Sequence, residues 1–214
     1  MPLPGPEVVI ATKNAGKVKE FQALFGERGI AVRSLRDYPD IPDIVEDGET
    51  FAANALIKAR AVAKAIGAPA VADDSGLAVE RLNGAPGVYS ARYAGEPADD
   101  AANNRKLLAE LGRLGATAGA AANPGGVKLL SAAKFVCAMA FVDADGTVLA
   151  AVEGECDGAI AAEPRGEHGF GYDPLFYIPQ LGRTMAELSM EEKNALSHRG
   201  QALRKLWQAM DKQG

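Results

Sequence analysis

The chain has 214 residues, of which 48% are hydrophobic, 24% charged and 6% aromatic, and this length can bury a core in one large domain or two joined lobes. The net charge of -5 argues against a protein that binds the nucleic-acid backbone, because such proteins present a basic face. Two cysteines are too few for a disulfide framework, and no apolar stretch reaches the roughly 18 residues of a membrane span, so we expect a cytoplasmic protein.

Hydrophobic patterns predict the elements of the N-terminal half. Residues 1–6, rich in proline and glycine, are expected to be a flexible lead, and residues 7–214 a single two-lobed domain. The predicted elements are a strand at 8–11, a helix around 18–25, a helix at 50–66 and strands at 70–72 and 77–79. The polar segment Asp73-Asp74-Ser75-Gly76 is predicted to end the strand at 70–72.

The C-terminal half continues with both kinds of element. Its predicted elements are helices at 99–114, 189–196 and 200–210 and strands at 133–142, 148–156 and 175–178. Residues 115–127 are small and of low complexity, so we expect a mobile surface loop there. Helices and strands mix without strict βαβ alternation, which predicts an α/β fold with a mixed central sheet.

A polar turn between the first strand and the first helix has the composition of a phosphate-binding site. It contains Thr12, Asn14 and Lys17. A helix N-terminus presents free backbone N–H groups and the positive end of the helix dipole, so it favours a phosphate. The spacing is not that of a Walker loop. The alternative interpretation is a helix capped by Thr12 or Asn14, with Lys17 in solvent.

Carboxylates in two segments could hold a divalent cation. Asp73 and Asp74 follow an apolar strand, the place where ligands collect in open α/β sheets. Successive residues of an extended chain point to opposite sides, so only one of the two is expected to face a ligand. Glu46 could provide a second carboxylate for Mg²⁺, and Lys58 could reach a phosphate. The alternatives are a plain turn at 73–76 and a solvated lysine.

Aromatic and basic residues near the C-terminus are candidates for binding a base. Residues 170–173 form a glycine-rich turn, from which an aromatic ring can stack on a purine. Lys193, His198 and Arg199 lie at a predicted helix junction and offer donors to base carbonyl oxygens. A core phenylalanine and a helix cap are the alternatives. With the polar turn and the carboxylates, these residues indicate a nucleoside triphosphate and Mg²⁺.

Five sequence blocks, taken together, resemble one enzyme family. In chain order they are ATKNAGKVKEF, DGETFAANALIKAR, ADDSGLAVERLNGAPGVYSARYAG, GFGYDPLF and SHRGQAL. This arrangement, from about Val8 to about Leu206, closely resembles the inosine/xanthosine triphosphate pyrophosphatases, house-cleaning enzymes that act on purine nucleoside triphosphates with deaminated bases. The DDSG and SHRG blocks are specific to that family.

The resemblance implies a fold, an activity and an assembly. The implied fold is an elongated, two-lobed α/β body with a mixed sheet and the active-site cleft between its lobes. The implied reaction hydrolyses ITP, dITP or XTP to the monophosphate and pyrophosphate, and it requires Mg²⁺. The implied assembly is a homodimer. The implied ligand is the small-molecule purine nucleoside triphosphate, and neither nucleic acid nor a membrane is expected as a partner.

The resemblance also assigns roles by position. The implied metal carboxylates are Glu46 and Asp74, with Asp73 as a further candidate, and Asp74 also resembles the residue that activates water. The implied substrate-binding residues are Thr12, Lys13, Asn14, Ala15, Gly16, Lys17, Lys58, Ser75, Phe170, Gly171, Tyr172, Asp173, Lys193, His198 and Arg199. A donor from His198 or Arg199 would pair with the 6-oxo group of hypoxanthine or xanthine and reject adenine, which carries an amine there.

Two departures and two alternatives remain. The stretch 115–127 looks longer and less polar than the corresponding loop of the family, and residues 1–6 are extra. One alternative function is that of the related septum-inhibitor-like nucleotide pyrophosphatases, which would lack the SHRG block. The other is a non-catalytic nucleotide sensor, which would have no need of Glu46 and Asp74 beside one ion.

Overall fold

A computed structural model describes residues 6–115 and 126–212, and within these ranges the chain forms five α-helices and seven strands. The helices are α1 (Ala15–Gly26), α2 (Phe51–Ile66), α3 (Asp100–Arg113), α4 (Met190–Leu196) and α5 (His198–Asp211). The strands are β1 (Glu7–Ile10), β2 (Ala31–Ser34), β3 (Ala70–Val79), β4 (Leu129–Val142), β5 (Val148–Ala161), β6 (Phe176–Ile178) and β7 (Arg183–Thr184). Among the described helices, none is long and apolar enough to cross a bilayer.

The seven strands form one mixed sheet in the order β2-β1-β3-β4-β5-β6-β7. Strand β1 pairs in parallel with β2 and with β3, where Ile10 lies opposite Val71. Strand β6 pairs antiparallel with both β5 and β7. The predicted α/β class with a mixed sheet is therefore confirmed, whereas the two-lobed body with a cleft stays a prediction, as does the single domain at 7–214.

Contacts divide the described chain into two compact units. The first unit contains residues 6–75, 137–154 and 197–212, and the second contains 76–115, 126–136 and 155–196. In the first unit, alternate residues of β1 enter different cores: Val8 and Ile10 pack with α1 and α5, whereas Val9 packs with α2. This period-2 alternation buries both faces of the sheet beneath helices.

In the second unit, α3 packs against the sheet through Leu107 and Leu111, both fully buried. The same core contains Leu77 of β3 and Phe176 of β6. The Asp99 side chain caps the start of α3 by accepting a hydrogen bond from the Ala102 N–H at 2.7 Å. The cap fixes the start of α3, and the leucine pair holds its later turns against the sheet.

Helix α2 begins and ends where its sequence predicts. The Thr50 hydroxyl accepts from the Ala53 N–H at 3.1 Å, and Gly67 adopts φ +63°, a left-handed conformation that suits glycine. The buried face of this helix includes Asn54 and Lys58, one helical turn apart. An otherwise apolar face therefore carries two polar groups into the first unit.

The structure corrects two boundaries and adds two strands. Strand β3 runs unbroken from Ala70 to Val79, so Asp73–Gly76 lie inside it rather than at its end. Helix α5 starts at His198 instead of about residue 200, because the Ser197 hydroxyl accepts from the Gly200 N–H and caps it. Strands β2 and β7 were not predicted. Most of the expected lead at 1–6 and of the expected loop at 115–127 lies outside the described residues.

We expect Gly154→Ala to destabilise the fold. A Cβ at Gly154 in β5 would collide with the His198 carbonyl oxygen and the Ala202 backbone nitrogen of α5. Overpacking of this kind costs about 1–3 kcal/mol. The matched control is Gly112→Ala in α3, where no atom lies within 4 Å of the added Cβ. That change should be neutral or stabilise by up to about 1 kcal/mol, because glycine is a poor helix former. Urea unfolding of both variants checks the contrast, and equal midpoints would contradict it.

Candidate active site

The turn before α1 is capped by Asn14, one of the two caps that the alternative interpretation allowed, and a role in phosphate binding stays a prediction. The Asn14 Oδ1 accepts from the Lys17 N–H at 3.0 Å, and the Thr12 hydroxyl accepts from the Asn14 N–H at 3.2 Å. Ala15 and Gly16 follow as the first two residues of α1. Helix α1 thus presents its N-terminus beside two polar side chains, the arrangement that suits an anion.

Lys17 and Lys13 of this turn have different partners. The Lys17 Nζ lies 2.9 Å from the Asp73 carboxylate, and its side chain is mostly buried. The Lys13 Nζ lies 2.6 Å from Asp43, whose side chain is 91% exposed. Lys17 therefore belongs to a fixed internal ion pair, whereas Lys13 is held by a surface pair that a ligand can displace at little cost.

Asp73 is the most enclosed carboxylate in the first unit, with 0% exposure. Burial alone would raise its pKa, but the charges of Lys17, Arg199 and Lys58 together lower the pKa well below the usual range. The Arg199 Nη2 donates to Asp73 at 3.0 Å, and the Ser75 hydroxyl donates to it at 3.1 Å. Asp73 is therefore ionised at neutral pH.

Arg199 lies in the interior of the first unit. It is 1% exposed, and its Nη1 donates to the equally buried Glu20 of α1. Its Nη2 also donates to the Ser75 hydroxyl at 2.8 Å. The sequence had assigned this guanidinium to the base of a nucleotide. The structure places it against carboxylates of α1 and β3, and a contact with the base stays a prediction.

The other adjacent carboxylate, Asp74, joins a second cluster. Its Oδ2 accepts from the Asn54 side chain at 3.1 Å, and its Oδ1 lies 3.6 Å from the Lys58 Nζ. The same ammonium lies 2.9 Å from Glu46. Burial raises the pKa of Asp74, an effect that the charges of Lys58 and Lys17 partly offset. Asp73 and Asp74 therefore differ in the atoms that contact them, and which of the two faces a ligand stays a prediction.

The residues around Lys58 fit a divalent cation of the Mg²⁺ type. The Lys58 ammonium approaches Glu46 and Asp74 at once, so two carboxylates converge on one positive charge. Among the described residues, no group of three or more acidic, cysteine or histidine side chains could hold a metal ion. A pair of carboxylates suits Mg²⁺, which takes its remaining ligands from water and substrate phosphates.

The glycine-rich turn of the second unit holds an aromatic ring above a buried ion pair. Gly169 has φ +79°, and a Cβ there would collide with the Asp173 carboxylate. The Asp173 Oδ2 accepts from the Phe170 N–H at 3.0 Å and from the Lys193 Nζ at 2.5 Å. The ammonium lies 5.0 Å from the centre of the Phe170 ring, within cation–π range. Ring, ammonium and carboxylate thus form one fixed group.

The structure assigns the predicted site residues to two groups. The first unit brings together Lys17, Glu46, Lys58, Asp73, Asp74, Ser75 and Arg199 through the contacts given above. The second unit brings together Phe170, Asp173 and Lys193, with Gly171 and Tyr172 in the same turn. His198, the first residue of α5, is buried in the first unit.

Two buried polar residues of the first unit were missed in the sequence. Asn54 donates to Asp74 and also accepts from the Gly48 N–H at 2.8 Å, which connects α2 to the segment that carries Glu46. Glu20 holds Arg199. A signal was available for Asn54, because it precedes Lys58 by four residues on the apolar face of α2. For Glu20 the neighbouring Phe21 and Leu24 could have indicated a buried acid.

Known proteins resemble this chain over nearly its whole length. The model of the Ham1 family matches residues 8–209. A dITP/XTP pyrophosphatase of Geobacillus kaustophilus is 55% identical over 201 residues, which cover 94% of this chain and 92% of that protein. A dITP/XTP pyrophosphatase of Bacillus anthracis is 49% identical over 201 residues, 94% of either protein. The structure of the Staphylococcus aureus Ham1 protein has 41% identity and a TM-score of 0.78, and covers 97% of this chain and 100% of that one.

We expect Arg199→Met to destabilise the protein strongly. The change leaves Glu20 and Asp73 buried without their shared cation, and breaking a buried ion pair costs about 3–5 kcal/mol. Adding Glu20→Met should recover part of the loss, because one uncompensated charge is removed. The control is Gln208→Met, an exposed position on the same helix, which should change stability by less than about 0.5 kcal/mol. Free energies of unfolding in urea give the comparison; an Arg199 variant as stable as the control would refute the assignment.

Proposed function

The chain belongs to the Ham1 family, and from this premise we propose that it hydrolyses purine nucleoside triphosphates with deaminated bases, ITP, dITP and XTP, to the monophosphate and pyrophosphate. It is a hydrolase that acts on acid anhydrides. The observation that carries the proposal is the convergence of Glu46 and Asp74 on the Lys58 ammonium, beside a helix N-terminus that suits phosphate. A nucleotide sensor would need the helix N-terminus but not the paired carboxylates.

The triphosphate is assigned to the first unit. Its oxygens accept hydrogen bonds from backbone N–H groups at the start of α1 and from the Thr12 and Asn14 side chains. Lys13 leaves its exposed partner Asp43 to bind the polyphosphate, and Lys17 and Lys58 add positive charge. These cations lie where negative charge grows as pyrophosphate departs, so they stabilise the transition state more than the bound substrate.

Asp74 is assigned as the group that accepts a proton from the attacking water. Asn54 fixes the orientation of the Asp74 carboxylate, as a group that accepts a proton from a positioned water requires. Glu46 and Asp74 would hold Mg²⁺, which supplies charge neutralisation for the phosphates when bound. Lys58 then turns from the carboxylates to a phosphate oxygen. Ser75 contacts the substrate beside Asp74.

The base is assigned to the turn at Phe170 in the second unit. Stacking on the Phe170 ring is tolerant of the base, because every base offers a π-face. Discrimination therefore falls to donors that meet the 6-oxo group, for which Lys193 and His198 are the proposed residues, with Arg199 as a further candidate. Adenine places an amine at that position and leaves such a donor unpaired.

Two further proposals concern the location and the assembly of the enzyme. We propose that the enzyme acts in the cytoplasm on the free nucleotide pool and that it forms a homodimer. Size measurement in solution by light scattering tests the dimer directly, and a monomer at micromolar concentration would remove that part of the proposal.

The experiment that tests the function is pyrophosphate release from a panel of triphosphates. We expect rapid release with ITP, dITP and XTP, and slow release with ATP and GTP. Omission of Mg²⁺ should abolish release with all substrates. A septum-inhibitor-like activity would appear as a preference for other modified nucleotides. Binding of ITP without any release would identify a sensor, and equal rates with ATP and ITP would reject selective pool cleansing.

We expect Asp74→Asn to lower kcat by at least about 10²-fold while ITP binding stays measurable. Loss of a general base typically costs about 10²–10⁴-fold, and the amide keeps the shape of the carboxylate and a site for the Asn54 contact. The control is Asp145→Asn, in the exposed hairpin turn, where an amide oxygen can still accept from the Thr147 N–H. Initial rates and equilibrium binding of ITP are measured for both variants. A near wild-type rate in the Asp74 variant would remove Asp74 from its role.

A further inference from the structure

The turn that carries Phe170 is fastened to α3 by two side chains that belong to none of the five sequence blocks. The Asp100 Oδ2 accepts from the Gly171 N–H at 2.7 Å. The Asn104 Nδ2 donates to the Gly171 carbonyl oxygen at 2.9 Å. Asp100 and Asn104 are one helical turn apart on α3, so they present an acceptor and a donor on the same side of the helix.

Gly171 needs such partners because of its conformation. It has φ +61°, in the left-handed region, and follows Gly169 at φ +79°. Two glycines in three residues give the turn a large conformational freedom when it is unconstrained. The N–H and the carbonyl oxygen of Gly171 both form hydrogen bonds with side chains of α3. These two bonds restrict the backbone of Gly171 to one conformation.

Helix α3 itself is a rigid support. Its Leu107 and Leu111 are fully buried in the second unit, and Asn103 bonds to the Ala94 N–H at 2.7 Å and to the Ala91 carbonyl at 3.0 Å. A hydrogen bond from the Tyr172 hydroxyl to the Ser90 carbonyl, at 2.8 Å, fastens the residue after Gly171 as well. Gly171 and Tyr172 are therefore both anchored by hydrogen bonds to other segments of the second unit.

We propose that Asp100 and Asn104 are positioning residues for base recognition: by holding Gly171, they fix the Phe170 ring in the place where it stacks on the purine. The inference rests on the proposed function, since it gives the turn its role as a base-binding surface. Neither residue touches the base itself. They act by holding the ring in its binding position before the substrate arrives. Substrate binding then loses less free energy to the ordering of the turn.

The two hydrogen bonds have opposite polarity, and this distinguishes positioning from general destabilisation. At position 100 an acceptor is required, so Asp100→Asn should preserve the contact while Asp100→Ala removes it. At position 104 a donor is required, so Asn104→Asp, although nearly identical in shape, should fail and place a carboxylate oxygen against a carbonyl oxygen. Arg105→Ala, exposed on the same helix, is the control.

The measurements are kcat and KM for ITP, binding of inosine monophosphate, and inhibition by inorganic triphosphate, which has no base. For Asp100→Ala and Asn104→Asp we expect the KM for ITP and the dissociation constant of inosine monophosphate to rise about three- to tenfold, the effect of one lost hydrogen bond. Inhibition by inorganic triphosphate should change less than twofold. Asp100→Asn and Arg105→Ala should behave as the wild type.

Hydrogen exchange of the Gly171 amide, measured without nucleotide, shows whether the clamp has opened. It should accelerate in Asp100→Ala and stay protected in Asp100→Asn. Unchanged monophosphate binding in a variant with fast Gly171 exchange would overturn the inference, as would an equal loss for inorganic triphosphate. A wild-type protein that releases no pyrophosphate from any triphosphate would instead reject the proposed function, and the two failures are thereby distinguished.

Discussion

A single buried carboxylate organises the polar interior of the first unit. Asp73 has no exposed surface, and an ionised carboxylate in such a place is tolerated only beside cations that offset its desolvation. Lys17 of α1 and Arg199 of α5 provide that charge. Because both helices must bring a cation to one point on β3, their N-termini are fixed against the strand by charge as well as by apolar packing.

The neighbouring aspartate shows how one strand provides two kinds of carboxylate. Asp73 is surrounded by strong cations that hold its pKa low, whereas burial raises the pKa of Asp74. Adjacent groups whose environments move their pKa values apart often divide the work of a site. Here Asp73 holds Lys17 and Arg199 together, and Asp74 is the carboxylate to which the proton chemistry is proposed to belong. Successive residues of an extended strand alternate in direction, which accounts for the different contacts of the two neighbours.

The sequence predicted those features that local chemistry determines. Thr50 and Gly67 marked the ends of α2, Asn14 was one of the two caps that the polar turn offered, and the mixed α/β class followed from the order of elements. Strands β2 and β7 were missed because four and two residues are too few for a periodic signal. The end assigned to β3 was wrong because its polar residues suggest a turn, whereas the cations of α1 and α5 bind the Oδ2 atom of Asp73 within a continuous strand. Partners distant in the chain, such as Glu20 and Arg199, leave no local pattern.

The depth of the Asp73 network has a consequence for the response of the protein to ionic strength. Mobile ions screen exposed charges over about 8–10 Å at ordinary salt concentrations but do not penetrate a packed interior. The pairs of Asp73 with Lys17 and Arg199 are buried, so salt screens them much less than it screens a surface pair. The exposed Lys13–Asp43 pair, in contrast, is screened by dissolved ions. Salt thus weakens the ion pair of Lys13 with Asp43 and also the attraction of Lys13 for a polyphosphate. The two effects on polyphosphate binding have opposite signs and partly cancel.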